Sequence, residues 1–236
     1  MRQFLAAALV AISFFQTSAA VAGDHPVVVE LYTSQGCSSC PPADALLTKL
    51  AGRDDVIALA LHVDYWDYIG WKDNLANPAF TARQKSYARA GGHRSVYTPQ
   101  MIVGGVDHVI GNKPMELADA INAHRAIAPQ ADLVLQKNGN RLEIEANWLS
   151  SKAAKTQMVL QLVRYDERQQ VKIGRGENAG KTIDYSNIVT HWEPIGTWDG
   201  RGKKNVTVDM GSSKGPIAVI LQFDGYGPVV AAAQLK

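Results

Sequence analysis

The chain has 236 residues, 24 lysines and arginines, 22 aspartates and glutamates, and only two cysteines. Its net charge of +2, without a lysine-rich run, excludes the basic surface that nucleic-acid binding requires. Two cysteines also exclude a small fold stapled by several disulfides, and the length suits two modest domains.

The N-terminal segment predicts export. Arg2 is positively charged, an apolar run extends from Phe4 to Phe15, and small residues lead to Ala20-Val21-Ala22, a pattern typical of cleavage before Gly23. The run is shorter than the ~20 apolar residues of a membrane-spanning helix, and no later stretch is long and apolar enough to span a bilayer. We therefore predict a signal peptide at residues 1–22 and a periplasmic or secreted protein.

Residues 23–128 alternate strand and helix signals. Runs of β-branched and apolar residues predict strands, and an apolar face behind an N-terminal proline predicts a helix. The predicted elements are a strand at 27–32, a helix at 41–50, a strand at 56–63, a helix at 78–90, a hairpin of 101–103 and 106–110, and a helix capped by Asn112 that runs to about Ile127. Right-handed crossovers make the first two strand–helix–strand units parallel, and the hairpin adds an antiparallel edge. The segment is predicted to be an α/β domain, a mixed sheet flanked by helices.

The pattern changes at Ala128-Pro129-Gln130, and beyond it only strands are predicted. They lie at 133–136, 141–148, 158–165, 206–210, 218–223 and 229–235, between segments rich in glycine, serine and proline. Residues 174–180 lack the spacing of a phosphate-binding loop and are interpreted as a glycine-rich connection. Residues 131–236 are therefore predicted to form a small all-β, sandwich-like domain.

The two cysteines, Cys37 and Cys40, lie between the first strand and the first helix. Unpaired amides and the dipole at a helix N-terminus favour an anion, and such settings lower a thiol pKa from ~8.5 to roughly 3.5–7.5. A disulfide across so short a loop stabilises a fold only slightly, so redox chemistry explains the pair better than stapling. We predict that Cys37 is the nucleophile of thiol–disulfide exchange, that Cys40 resolves the mixed disulfide, and that Gly36 allows close backbone approach.

A second motif raises the specificity of this interpretation. In Tyr97-Thr98-Pro99-Gln100-Met101-Ile102-Val103-Gly104-Gly105, a Thr-Pro opens a short strand that ends in a glycine turn. Together with the cysteine pair it resembles the thioredoxin and glutaredoxin superfamily over residues 24–127. The resemblance implies a thioredoxin-like domain, a cis-proline at Pro99 beside Cys37, and a Thr98 main chain that pairs with a bound polypeptide.

A closer resemblance extends over nearly the whole chain after the signal segment. Residues 30–44, 62–68 and 176–181, with the final strands, are similar to a family of secreted bacterial thioredoxin-like proteins without an assigned function, the domain of unknown function 1223. This resemblance supports the fold and implies no substrate. Because Ser38-Ser39 replaces the Gly-Pro of thioredoxin, the direction of exchange stays open between oxidant, reductant and isomerase.

The segment from His62 to Trp71 starts at the end of the second predicted strand, at the same rim as the cysteines. A partly buried carboxylate can have a raised pKa, so Asp64 is a candidate to exchange a proton with the resolving thiol. Aromatic residues at such a rim are typical of a substrate groove, for which the candidates are Gly36, Tyr65, Trp66, Trp71 and Gln100. The alternative is that the aromatic residues are core and that Asp64 caps a turn.

Two other functions compete with thiol–disulfide exchange. Cys37 and Cys40 can bind copper or zinc together with His62 or His93, since thiolates and imidazoles suit these ions, although the six histidines are scattered. The third possibility is a non-catalytic binding module with an inherited cysteine pair. We expect an oxidoreductase without a resident cofactor that acts on a protein or small-molecule thiol or disulfide and needs an external redox partner.

Overall fold

The computed structural model describes residues 19–20, 25–154, 156–211 and 215–236. The predicted signal peptide lies outside these ranges, except for Ala19–Ala20, which form a short strand. Within the described part of the chain, no helix is both long and apolar enough to cross a membrane.

The described residues form twelve strands and three α-helices. Each helix begins with a proline, which suits the first turn because the amide there needs no intrahelical partner. In chain order the elements are β1 (Ala19–Ala20), β2 (Val27–Thr33), α1 (Pro41–Ala51), β3 (Val56–His62), α2 (Pro78–Ala90), β4 (Gln100–Val103), β5 (Asp107–Ile110), α3 (Pro114–Arg125), β6 (Ala131–Asn138), β7 (Arg141–Trp148), β8 (Met158–Lys172), β9 (Thr182–Trp198), β10 (Lys204–Asp209), β11 (Ile217–Phe223) and β12 (Val229–Leu235).

The strands form two sheets. The large sheet has the order β12-β11-β8-β9-β3-β2-β4-β5 and mixes parallel with antiparallel pairs, and the small antiparallel sheet has the order β1-β6-β7-β10. The predicted α/β class, a mixed sheet flanked by helices together with a smaller β-structure, is therefore confirmed.

The direction of β4 corrects the predicted topology. β2 and β3 are parallel as expected, but β4 runs antiparallel to β2, with Gln100 opposite Tyr32. The reason is the return path: α2 starts beside the end of β3, where the Asn77 amide donates to the His62 carbonyl, and residues 91–99 then lead back to the same rim. The first residue of α3 also differs slightly from expectation, since Lys113 rather than Asn112 occupies its N-cap.

The large sheet takes strands from both sides of residue 129. β9 pairs in parallel with β3 through Ala60 and Ile188, so β8, β9, β11 and β12 extend the sheet of the first half. The predicted division into 23–128 and 131–236 thus separates two sequence patterns but not two sheets, and as a division into domains it stays a prediction. β9 is also absent from the predicted strands, because its sequence has no clean apolar alternation.

The ends of β2 and β3 are firmly held. Both strands are buried along their whole length, and since alternate residues point to opposite faces, Val29 and Leu31 pack under α1 and α3 while Val28 and Tyr32 face α2. The small sheet packs against β8 and β11 around a separate apolar core. The segments that follow β2 and β3 therefore start from a rigid support at one rim of the sheet.

Candidate functional site

The cysteine turn lies at this rim, directly after β2. Ser34 shapes it, because its carbonyl accepts from the Cys37 amide at 3.1 Å and its hydroxyl accepts from the Gly36 amide at 3.1 Å. Cys37 and Cys40 are joined in a disulfide. Cys40 is the N-cap of α1, and its carbonyl accepts from the amide of Asp44 at 3.0 Å.

The disulfide is almost closed to solvent. Cys37 is 2% exposed and Cys40 is 0% exposed, whereas Ser38 and Ser39 are exposed. The helix N-terminus also offers fewer amides than the sequence analysis assumed, because Pro41 and Pro42 occupy its first two positions and carry no N–H. The predicted rim location is correct, but a partner reaches Cys37 only if something next to it moves.

Pro99 lies next to the cysteine turn, and the Thr98–Pro99 bond is cis as the resemblance implied. The Pro99 carbonyl accepts from the Gly111 amide at 2.9 Å. A Cβ atom on Gly111 would lie 2.8 Å from the Pro99 Cβ and 3.1 Å from the Ala43 Cβ, so this glycine lets the proline approach α1. A cavity of about 420 Å³ opens here, lined by Ser39, Tyr97, Thr98, Pro99, Ile110 and Asn112.

The predicted groove residues lie around the rim but do not line this cavity. The Trp66 indole donates to the Thr98 hydroxyl at 2.7 Å, and the Trp66 Cβ packs against Gly36. Tyr65 donates to Gln84 at 3.2 Å, and the side-chain amide of Gln84 donates to Gln100 at 2.7 Å. These contacts brace the Pro99 segment, and a direct role in substrate binding stays a prediction.

Asp64 has a structural partner. Its carboxylate accepts from the Thr81 hydroxyl at 2.5 Å, and its own amide donates back to that hydroxyl at 3.3 Å. The pair ties the end of β3 to α2. The predicted exchange of a proton between Asp64 and a cysteine therefore competes with a hydrogen bond already made, and it stays a prediction.

A buried polar cluster lies beneath the cysteine turn, and sequence reasoning named only His62 from it. Asp44 is 3% exposed, and neither carboxylate oxygen makes a hydrogen bond of ordinary geometry among the described residues, although the Thr33 hydroxyl lies near the carboxyl. Burial raises the pKa of Asp44 to about 7. His62 contacts Asp73 through Nδ1 at 2.8 Å, while its Nε2 and the Tyr185 hydroxyl have no partner in the described part of the chain.

Two of the missed residues have very different sequence signals. Asp44 follows Cys40 by four positions, which is the spacing of neighbours on one helix face, so its location was accessible to sequence reasoning. Tyr185 comes from β9, far along the chain, and its ring lies 4.7 Å from the ring of His62. Burial also raises the pKa of Tyr185, with the nearby Asp44 carboxyl adding to the shift.

The residues of the metal alternative have other partners in the structure, and a metal-binding role stays a prediction. No group of three or more His, Cys, Asp or Glu side chains within the described ranges is arranged to hold an ion. The two sulfurs are bonded to each other, and His62 is engaged by Asp73. His93 lies elsewhere, with its ring 4.5 Å from that of His108.

The loop of residues 173–181, which joins β8 to β9, lies against the cysteine turn. Asn178 is 0% exposed, and its side-chain amide donates to the carbonyls of Gln35 and Cys37, both at 2.9 Å. The Glu177 carboxylate accepts from the Ser38 amide at 3.3 Å. The sequence of this loop predicts only a glycine-rich connection in the β-domain, because nothing local relates it to residues about 140 positions earlier.

These observations define a mixed α/β protein with a buried two-cysteine disulfide at the rim of its large sheet, next to a cis-proline. The chain belongs to the family described as "Protein of unknown function (DUF1223)", whose model matches residues 28–222. The predicted membership of this family of unknown function is thereby confirmed. No curated protein matches the chain in sequence.

Solved structures similar to the chain include those of two bacterial proteins. The crystal structure of protein AGR_C_4864 from Agrobacterium tumefaciens is 33% identical, with a TM-score of 0.78, over 90% of this chain and 94% of that one. HBP35 of Porphyromonas gingivalis is 12% identical, with a TM-score of 0.57, over 90% of this chain and 75% of that one. The second likeness concerns the fold alone.

Proposed function

We propose that the protein is an exported thiol–disulfide exchange protein with a thioredoxin-like domain, in which Cys37 and Cys40 alternate between a disulfide and a dithiol. The observation that carries the proposal is the Cys37–Cys40 disulfide at the sheet rim, with Thr98 and Pro99 in the adjoining cavity beside Ser39. Location in the periplasm or outside the cell rests on the signal-like pattern of residues 1–22.

The arrangement of β3-β2-β4-β5 supports the thioredoxin-like assignment. β2 and β3 are parallel, β4 and β5 are antiparallel, and the helices cover both faces. The cysteines precede α1 and the cis-proline precedes β4, which is the combination that the superfamily resemblance implies.

The exchange proceeds in two displacements. A thiolate of the partner attacks the Cys37 sulfur, the Cys37–Cys40 bond breaks, and its electron pair leaves on Cys40, which takes up a proton. A second partner thiolate then attacks the mixed disulfide, so the partner departs as a disulfide and Cys37 departs as a thiolate. This sequence oxidises a dithiol partner and its reverse reduces a disulfide partner, and in either direction an external redox partner restores the starting state.

Asp44 is the proposed proton donor and acceptor for Cys40. It lies one helical turn further along α1, on the same face, and both residues are buried. Its carboxyl makes no hydrogen bond of ordinary geometry among the described residues, although the Thr33 hydroxyl lies near it, whereas the Asp64 carboxylate is bound by Thr81. A buried carboxyl with a pKa near neutrality exchanges protons efficiently at physiological pH.

The cavity beside Pro99 is the proposed docking place of a polypeptide partner. Tyr97 and Ile110 line it and are 38% and 44% exposed, so they offer apolar contact surface to a partner. Within the described ranges, no backbone group bonds to the main chain of Thr98, so its amide and carbonyl are available to an extended peptide.

The test is a glutathione redox series on the metal-free full chain, followed by mass spectrometry of alkylated cysteines. We expect one two-electron transition of Cys37 and Cys40. With Cys40→Ser, a glutathione adduct should accumulate on Cys37, whereas with Cys37→Ser the buried Cys40 should form much less adduct.

The two variants also distinguish the competing functions. Equal adduct formation in both variants, or a wild-type disulfide that stays unchanged across the series, would contradict the proposal. Metal uptake that depends on Cys37, without any exchange, would favour a metal carrier instead.

A further inference from the structure

We propose that the 173–181 loop is a redox-controlled latch, which holds Cys37 closed in the disulfide form and withdraws when Cys37 becomes a thiolate. The proposal rests on the proposed function, since it concerns access to the same sulfur. Its starting point is that Cys37 is 2% exposed although it must meet a partner.

The loop holds the cysteine turn through a small set of contacts. The Asn178 side chain bridges the carbonyls on the two sides of Gly36, and the Lys181 ammonium fixes Asn178 by donating to its side-chain oxygen at 2.8 Å. Trp71 completes the contact, because its ring lies against Gly174 and its Cβ lies against Gly176. Asn178 is thus the centre of the latch.

The base of the loop is held by backbone hydrogen bonds, whereas most residues in its middle are exposed. Ile173 is buried, and it closes the hairpin through backbone hydrogen bonds with Gly180 at 2.8 Å and Lys181 at 2.9 Å. Residues 174–177 and 179 are exposed, so they bury little surface when they lie against the cysteine turn. Segments with few buried contacts open at low cost while their supports stay folded.

Charge connects the latch to the state of the sulfur. The Glu177 carboxylate accepts a hydrogen bond from the Ser38 amide, which is the backbone donor next to Cys37. A thiolate at Cys37 would repel that carboxylate and would compete with it for the hydrogen bond from the Ser38 amide. Few other backbone donors lie nearby, because Pro41 and Pro42 have no N–H. The other charged or titratable groups around the turn are Asp44, His62 and Asp73 beneath it, and Arg175 and Lys181 in the loop. Reduction therefore weakens the Glu177 contact, and the disulfide restores it.

The first experiment is hydrogen–deuterium exchange of the full chain in the disulfide form and after reduction by dithiothreitol. In that reduction dithiothreitol becomes a cyclic disulfide, and its two electrons break the Cys37–Cys40 bond. We expect faster exchange at residues 174–179 in the reduced form, with unchanged exchange in the adjoining parts of β8 and β9. The variant with both Cys37→Ser and Cys40→Ser has neither the disulfide nor the thiolate, and its loop should stay protected. Equal protection in both redox states, or an open loop in the serine variant, would overturn the latch.

The second experiment measures how fast dithiothreitol reduces the disulfide. Asn178→Ala removes both bridging hydrogen bonds, and we expect reduction to be faster by about tenfold or more. Glu177→Gln retains an acceptor without the charge, so it should keep the 174–179 amides protected after reduction. Glu167→Gln, an exposed change elsewhere on the same hairpin, serves as the matched control.

The two proposals fail in different ways. If the disulfide does not respond to the glutathione series, the proposed function is wrong. If it does respond, but Asn178→Ala reacts at the wild-type rate and Glu177→Gln loses protection like the wild type, exchange stands and the latch is wrong. A folding defect in Asn178→Ala would appear in its circular dichroism, and Glu177→Gln would then decide.

Discussion

The Asp44 carboxyl links the chemistry of one residue to the stability of the whole chain. Burial raises its pKa from an ordinary value of 3.8 to about 7. Because the folded-state pKa lies above the unfolded one, the native state binds the proton more tightly, and stability falls as the pH rises from about 4 to 7. Above pH 7 the native state holds a buried charge, at a cost of about 4 kcal/mol at most.

Asp44→Asn should therefore stabilise the protein in a pH-dependent manner. At pH 4 the free energy of unfolding should differ little from that of the wild type, while at pH 8 the variant should be more stable by roughly 2–4 kcal/mol. Urea titrations of the oxidised proteins at the two pH values measure both quantities. Asp54→Asn, a change at an exposed position, is the control and should show no such difference. An equal gain at pH 4 and pH 8 would contradict the assignment of the buried charge to Asp44.

At the scale of elements, the local sequence pattern predicted the positions of strands and helices, but not the direction and pairing of every strand. β2 and β3 are largely apolar runs, and α2 starts at a proline and ends near two glycines, so their positions were predicted to within a residue or two. The direction of β4 depends on the return path through 91–99, and β9 is stabilised by pairing with β8 and β3, which no local pattern encodes. The same distinction applies to the site: Cys37, Cys40 and Pro99 lie in recognisable motifs, whereas Asn178 and Tyr185 arrive through that pairing.

A buried ion pair attaches α2 to the sheet. The Glu30 carboxylate is 1% exposed and accepts two hydrogen bonds from the Arg83 guanidinium, both at 2.8 Å. Arg83 also donates to Gln161 of β8, and its guanidinium lies 3.7 Å from the Trp192 ring centre. The pair therefore connects α2 with strands from both parts of the sequence.

Removing one partner of this pair should cost more than removing both charges. Arg83→Met leaves Glu30 buried without its counter-ion, and we expect a loss of about 3–5 kcal/mol in the free energy of unfolding. Adding Glu30→Gln to that variant should restore part of the loss. Arg89→Met, at an exposed position of the same helix, should change stability by less than ~0.5 kcal/mol. A double variant that is no more stable than Arg83→Met would show that the buried charge is not the cause.

For the whole molecule, the second half of the chain supplies hydrogen-bond partners to strands, a helix and the cysteine turn of the first half. Asn187 of β9 donates to the Ala58 carbonyl of β3 at 2.8 Å, and Ser186 contacts Thr48 of α1 at 3.0 Å. Asn178 adds its two hydrogen bonds to the cysteine turn. Without these partners, the edge of β3 and one side of α1 lose their cover.

We therefore expect one cooperative unfolding transition for the full chain. In urea, far-ultraviolet circular dichroism and tryptophan fluorescence should give coincident midpoints, since Trp66 and Trp71 report on the first half and Trp148, Trp192 and Trp198 on the second. The fragment of residues 23–128 should lack a cooperative transition of its own, because isolation uncovers the β3 edge and removes Tyr185 and Ile188 from beside α1 and His62. Two independent domains, as the change of pattern at residue 129 suggests, would instead give two transitions and a fragment that unfolds cooperatively. Both halves of the chain contribute strands to one sheet, so each half covers apolar residues of the other. Separate unfolding midpoints for the two halves would therefore contradict the architecture on which access to Cys37 depends.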